Sequence, residues 1–360
     1  MLGEIVAISE NTLLIEGQEP RSILIEPDIA NVVAHKAGST LFIIDTGCTP
    51  PMREAIHRAA AMLRPFDRCV LLNSHGHPDH TGNNGIIEEI EAPVKEHFIS
   101  RPGMPLLDFE RYFMEKYRDI SRYYHYLEGP RFPYSIFAGA VKALGRFNGD
   151  LAFLPVKKSL NKFKPWDRSS RLEFFESSDS RKLANSLNGW NGWILHDSVC
   201  AMEARGHSPD EIVFYLPGDE TLVLADEAFP FFNCWPDSNS AAVRNTLRRS
   251  LEMARRGDVK TLVTGHDHTL FRGEAISAFL TTLLADYEFF TGTVVKIVED
   301  NPRGITIKGI YAALSSLKRH PVMEKYFSLE FPKFPPFLKT TIASLLLERG
   351  FRHEGPEGEN

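Results

Sequence analysis

The chain is poor in cysteine, and the four it has are scattered: Cys48, Cys69, Cys200 and Cys234 form no Cys-x-x-Cys pair. That spacing argues against both a zinc ribbon and a disulfide framework, so the thiols read as buried side chains. Long apolar runs are lacking too, since none reaches the roughly 18–20 residues that a membrane span needs. Positive charge is not in excess. With 41 Lys and Arg against 47 Asp and Glu, the net charge is −6. This disfavours a large nucleic-acid footprint and leaves a small molecule as the expected substrate. The opening residues MLGEIVAISENTLLIEG alternate apolar and polar and do not place a basic segment before an apolar one. A secretory leader is therefore not expected, and a cytoplasmic location is the default.

What is present is an ordinary globular composition, 43% hydrophobic and 24% charged over 360 residues. That length suits a core of roughly 200–250 residues with an insertion or appendage. Short strands separated by turns are predicted over 4–8, 12–16, 22–26 and 40–45. A helix over 51–65 and a buried strand over 69–72 follow, and the strand runs into SHGHPDHTGNNG. Between residues 102 and 166 the composition shifts to 14 aromatic residues in 65 positions, against 11% overall, with helical patterns over 106–126 and 134–147. This reads as an inserted helical unit. Its rings, among them Phe113, Tyr117, Tyr124 and Phe137, fit either a lid over an apolar acyl or ring pocket or two helices packing on each other. Strands are predicted again over 193–196, 200–203, 212–216 and 221–225, then a helix over 240–255 and a strand over 259–264 ending in GHDH. Helical patterns over 275–290, 307–317 and 338–349 fill the remainder.

The chemistry concentrates in two short stretches. His75, His77, Asp79 and His80 lie within six residues, and a turn after a strand can aim the first two histidines to one side and present Asp79 and His80 to an adjacent point. One loop can thus serve two metal ions. Strand-to-loop junctions are also where a rigid element aims side chains while leaving them accessible.

The pattern His-x-His-x-Asp-His resembles the metal signature of the metallo-β-lactamase superfamily. Further along, GHSPDEIVFYLP offers His207, TLVLADEAFP offers Asp226 and LVTGHDH offers His266, while LFIIDTG resembles the family strand ending in Asp-x-Gly. These motifs cover residues 40–270, with a longer insert than usual between His80 and His207. The resemblance implies an αββα sandwich: a catalytic domain over 1–270 with the aromatic insertion at about 102–166, then a helical C-terminal extension over 271–360. It implies one metal at His75, His77 and His207, a second at Asp79, His80 and His266, Asp226 between them, and Asp45 supporting the loop by accepting a ligand N–H.

Such a nitrogen-rich set suits two divalent ions, zinc first, with iron or manganese as alternatives. A metal-bound hydroxide, oriented by Asp79, would then attack an ester-like carbonyl, with a thioester or lactone favoured over an amide or β-lactam. Phosphodiester or sulfate-ester hydrolysis, iron-dependent oxygen chemistry and a non-catalytic ligand sensor are the alternatives on the same fold. His268 stands near the last ligand, able to orient substrate or give a proton, or simply to sit at the surface. Tyr215 reads as a packed strand residue more readily than as an acid. The other histidines receive no role, a hydrophobic acyl or ring compound is the expected substrate, and homo-oligomerisation is left open.

Overall fold

The computed structural model describes residues 2–18, 29–109, 111, 112, 164, 166, 171–176, 181–183, 187, 189–228, 237–330 and 337–351. Among them are two seven-stranded mixed sheets. The first runs in chain order: β1 (Ile5–Ala7), β2 (Thr12–Ile15), β3 (Val32–Ala37), β4 (Thr40–Ile44), β5 (Arg68–Leu72), β6 (Val94–Ile99) and β7 (Leu172–Phe174). Its first four strands form an antiparallel meander, and β4 to β7 are parallel. The second sheet runs from β8 (Arg181–Lys182) through β9 (Gly192–Leu195), β10 (Val199–Glu203), β11 (Ile212–Leu216), β12 (Thr221–Val223) and β13 (Thr261–Val263) to β14 (Phe271–Arg272). All its pairs are antiparallel except β12 with β13.

Period-two side-chain alternation separates the layers. Leu14, Phe42, Ile44, Val70 and Leu72 point between the sheets and meet Trp193, Val199, Ala201, Ile212 and Phe214 from the other side. Their neighbours Leu13, Ile15, Leu41, Ile43, Cys69 and Leu71 point outward, onto Met52, Ala55, Ile56 and Ala59 of helix α1 (Pro50–Met62). Both faces of the central strands are thereby buried, which is why 69–72 reads as an unbroken apolar run. On the opposite outer face, Cys200, Met202, Val213 and Leu222 pack with α3 (Ser240–Arg255) and α4 (Glu274–Glu299). Two sheets face to face with helices outside give the expected αββα sandwich.

Helices α5 (Ile307–Ser316), α6 (Pro321–Glu330) and α7 (Phe337–Glu348) continue that last layer. Leu314, Tyr326 and Ile342 belong to the same apolar cluster as Leu222 and Val213. The C-terminal helices and the second sheet therefore share a core. Among the described residues no helix is long and apolar enough to cross a membrane.

Several expectations shift in detail. Strand β3, with the sequence VVAHKA, and strand β6, with VKEHFI, were not predicted, because His35, Lys36 and His97 interrupt the apolar pattern. Helix α6 was missed as well. The strand predicted over 22–26 and most of the helical patterns over 106–126 and 134–147 lie outside the described residues, as do Phe113, Tyr117, Tyr124 and Phe137.

Candidate metal centre

Four strand ends converge at one edge of the sandwich. The loop after β5 carries His75 and His77, and its last turn is the short helix α2 (Pro78–Thr81), with Asp79 in the first turn and His80 behind it. Pro78 fits the first helical position because its missing N–H is not needed there. His207 follows β10, Asp226 lies in a 3-10 turn (Ala225–Ala228) after β12, and His266 follows β13. The turn after β12 opens with Ala225 at φ 44°, and Gly265 must be glycine because an added Cβ would sit 2.2 Å from Asp226 Oδ1. That close approach lets the β13 loop lay His266 against Asp226.

The side chains form two groups joined by one carboxylate: His75, His77, His207 and Asp226, and Asp79, His80, Asp226 and His266, with the candidate ligand atoms of each group within 4.8 Å of one another. Asp226 Oδ1 lies 3.2 Å from Nε2 of His80 and 3.2 Å from Nε2 of His266, while Oδ2 lies 3.5 Å from Nε2 of His207. Asp79 Oδ2 is 3.5 Å from Nε2 of both His80 and His266. Nδ1 of His77 and Nε2 of His207 are 3.2 Å apart. All seven residues named from sequence are brought together here.

The surroundings orient the rings. Asp45, at φ 60°, accepts the Ser74 N–H at 2.8 Å and the Ser74 hydroxyl at 2.7 Å, and its Oδ2 is 2.9 Å from His80 Nδ1. Glu211 Oε2 is 3.1 Å from His75 Nδ1, and its Oε1 accepts the Asp226 N–H at 3.2 Å. Glu227 accepts the N–H groups of Gly206 and His207, and Asp210 accepts that of Gly76. Beneath the loop, Asn73 and Asn84 exchange amide hydrogen bonds at 2.8 and 3.1 Å, and His97 Nε2 lies 2.7 Å from Asn73 Oδ1.

Sequence reasoning passed over Glu211, Glu227 and Asp210. The usable signal was acidic residues adjoining His207 and Asp226 at the edges of apolar strands, where a carboxylate has to be buried and needs partners.

Electrostatics mark the cluster as a place for cations. Burial, with the neighbouring His80 and His77, holds His75 well below the ordinary histidine range, and burial takes His207 down to about 4. Burial also disfavours a charged His80, but Asp226, Asp45 and Asp79 outweigh it and raise that histidine well above its usual value. Burial pushes Glu211 well above the carboxylate range and Glu227 up to about 7. So many buried acids call for positive charge among them. Nε2 of His75, fully buried, has no hydrogen-bond partner and faces the other candidate ligands, which leaves it available to an ion. The residues present fit a pair of divalent ions with nitrogen and carboxylate donors.

The remaining candidates sit elsewhere. His268 directs Nε2 to the Gly17 carbonyl at 3.0 Å, with Nδ1 3.8 Å from Glu16. Tyr215 donates to the Asp258 carbonyl at 2.7 Å from the helix-covered face of the second sheet, so it is packed as its strand position suggested. Tyr112, at the start of the aromatic insertion, is buried with its ring 5.5 Å from that of His77.

Residues 25–176 match the sequence model described as the metallo-beta-lactamase superfamily. Among solved structures, a beta-lactamase domain protein from Burkholderia ambifaria shares the fold with a TM-score of 0.58 at 17% identity, over 99% of this chain and 92% of that one. A metallo-beta-lactamase family protein from Thermus thermophilus aligns with a TM-score of 0.52 at 17% identity, over 96% and 95%. A stereoselective inverting sec-alkylsulfatase from Pseudomonas sp. aligns with a TM-score of 0.54 at 16% identity, over 95% of this chain and 49% of that one. Comparison with curated proteins gives no match. At these identities the structures speak for the fold alone. The chain thus shares the metallo-beta-lactamase fold, and its residues 25–176 match the sequence model of that superfamily, whose members are largely hydrolytic enzymes.

Proposed function

We propose that this protein is a dimetal hydrolase acting on an ester-like carbonyl of a small apolar molecule, a thioester or lactone in preference to an amide. The observation that carries the reading is the sharing of Asp226 between two ligand groups, one of His75, His77 and His207, the other of Asp79, His80 and His266. Zinc is the favoured metal on this donor set, with iron or manganese behind it. Two such ions would supply a water of lowered pKa and a Lewis acid for the carbonyl oxygen.

The chain's own residues set the geometry. Asp226 holds the two groups together and offsets the repulsion between their cations. Asp79 is the most open of the set at 23% side-chain exposure, against 6% or less for Asp226 and the histidines it faces. It can therefore reach the attacking water from the solvent side and orient it. Glu211 and Asp45 hold His75 and His80 by their remaining nitrogens, which fixes the tautomer and leaves Nε2 for the ion. In this reading residues 1–270 form the catalytic domain, with an aromatic-rich insertion at about 102–166, and 271–360 form a helical extension whose described helices buttress the second sheet. Tyr112 lies beside His77, with the two rings 5.5 Å apart.

A second reading, sulfate-ester hydrolysis, draws on the likeness to the sec-alkylsulfatase from Pseudomonas sp.. The two are separated by assaying zinc-loaded protein against acyl thioesters, lactones, β-lactams, phosphodiesters and secondary alkyl sulfates. Turnover of thioesters or lactones, rising through an apparent pKa near neutrality, is the expected result. Turnover of sulfates or phosphodiesters alone would replace the carbonyl reading.

A further inference from the structure

The two ligand groups are braced by different parts of the chain. Around His75, His77 and His207 the supports are Glu211, Asp210 and Glu227, all beside β11 or β12. Both groups span the seam between the sheets; in the second, Asp79 and His80 follow a strand of the first sheet and His266 a strand of the second.

Residues 29–31 occupy that seam. Ala30 donates its N–H to the Asp79 carbonyl at 3.3 Å, and Asn31 donates its own to the Gly265 carbonyl at 2.6 Å. The buried Asn31 amide then donates to two more carbonyls of the His266 loop, Thr264 at 3.0 Å and Asp267 at 2.8 Å, and its Oδ1 accepts the Gly17 N–H at 2.8 Å. Gly17 is tied in from the other side by its carbonyl, 3.0 Å from His268 Nε2. A Cβ on Gly17 would lie 2.1 Å from the Ile29 carbonyl oxygen, so only glycine lets these two backbones close on each other.

We propose that Asn31 is a positioning residue that sets the second metal position, fixing the His266 loop while its neighbour Ala30 fixes the Asp79 loop. Its side-chain amide closes the turn of residues 264–267 from outside, and the reach of His266 toward Asp79 and Asp226 depends on that turn. A buried amide that satisfies two loop carbonyls cannot be removed without leaving them unpaired or moving the loop. The inference rests on the two-metal reading above.

The test titrates zinc, and in parallel cobalt(II), into the full-length protein against a graded chelator, counting equivalents per chain by elemental analysis and by the cobalt absorption spectrum. Asn31→Asp keeps the oxygen that accepts the Gly17 N–H and removes both amide donors; Asn31→Ala removes all three side-chain hydrogen bonds and keeps only the backbone N–H on Gly265. His266→Ala is the reference for direct loss of the second site. The expected result is a first equivalent bound as in the unaltered protein and a second bound at least tenfold more weakly, in both Asn31 variants. A second equivalent of undiminished affinity in Asn31→Asp would overturn the proposal. So would an equal weakening of both equivalents, which marks a general loss of stability. Should Asn31→Ala fail to fold, Asn31→Asp and Asn31→Ser decide by the same criteria. Failure of the two-metal reading is seen separately, as an unaltered protein that takes up fewer than two equivalents.

Discussion

Glu211 reaches His75 and Asp226 with one carboxylate, Oε2 at 3.1 Å from His75 Nδ1 and Oε1 on the Asp226 N–H at 3.2 Å. It therefore ties the loop after β5 to the turn after β12. Partners of this kind typically govern metal affinity by about 10–100-fold. Glu211→Ala should weaken zinc binding within that range, and Glu211→Gln, which keeps an acceptor oxygen, should weaken it less. Competition against a chromophoric chelator measures both. Affinities unchanged in the two variants would remove Glu211 from the site's support.

Asp226 and His266 should separate cleanly. Asp226 belongs to both ligand groups and His266 to one, so Asp226→Ala is expected to weaken both zinc equivalents and His266→Ala only one. Elemental analysis after dialysis reads the difference. A loss confined to one equivalent in Asp226→Ala would mean that the carboxylate does not bridge.

His97 predicts a dependence of stability on pH. Burial takes it from its ordinary 6.5 to about 3, and protonation would create an Nδ1–H that has no acceptor. As pH falls, the unfolded chain takes up this proton first, so the contribution is present above about 6.5 and lost progressively toward about 3. The unaltered protein should therefore lose its stability advantage over His97→Gln as pH drops from 7 toward 4, by up to about 1.4 kcal/mol per pH unit in urea unfolding. A gap that stays constant with pH contradicts the neutral buried histidine.

Tyr112 tests whether the insertion meets substrate. Its ring lies 5.5 Å from that of His77, and each methylene covered by apolar surface is worth about 0.8 kcal/mol. Tyr112→Ala should leave the metal content unchanged and flatten the rise of kcat/KM along a series of acyl thioesters of increasing length. Tyr112→Phe should preserve that rise. Parallel series in the two variants would make Tyr112 a purely structural neighbour of the histidine.

The seven candidate ligands were legible because His75 to His80 crowd into one loop in a pattern that resembles a known metal signature, and that resemblance implies His207, Asp226 and His266 further along. The layers were legible where apolar residues repeat, as in 41–44 and 69–72. They were illegible in β3 and β6, where His35 and His97 lie within strands. A histidine breaks the hydrophobic pattern of a strand without breaking the strand, since neighbouring side chains satisfy it: Asn73 for His97, Thr12 and Asp219 for His35.

Sequence by itself thus determined the candidate donors, their order and the class of fold, because motif and side-chain periodicity are local properties. The tertiary structure alone decided which carboxylate serves which histidine. Glu211 lies 136 residues from His75, and Asn31 lies 233 from the Thr264 carbonyl it holds. Such partnerships depend on two sheets meeting at one edge, and a buried polar group signals only that it needs a partner, never which one the packing will bring.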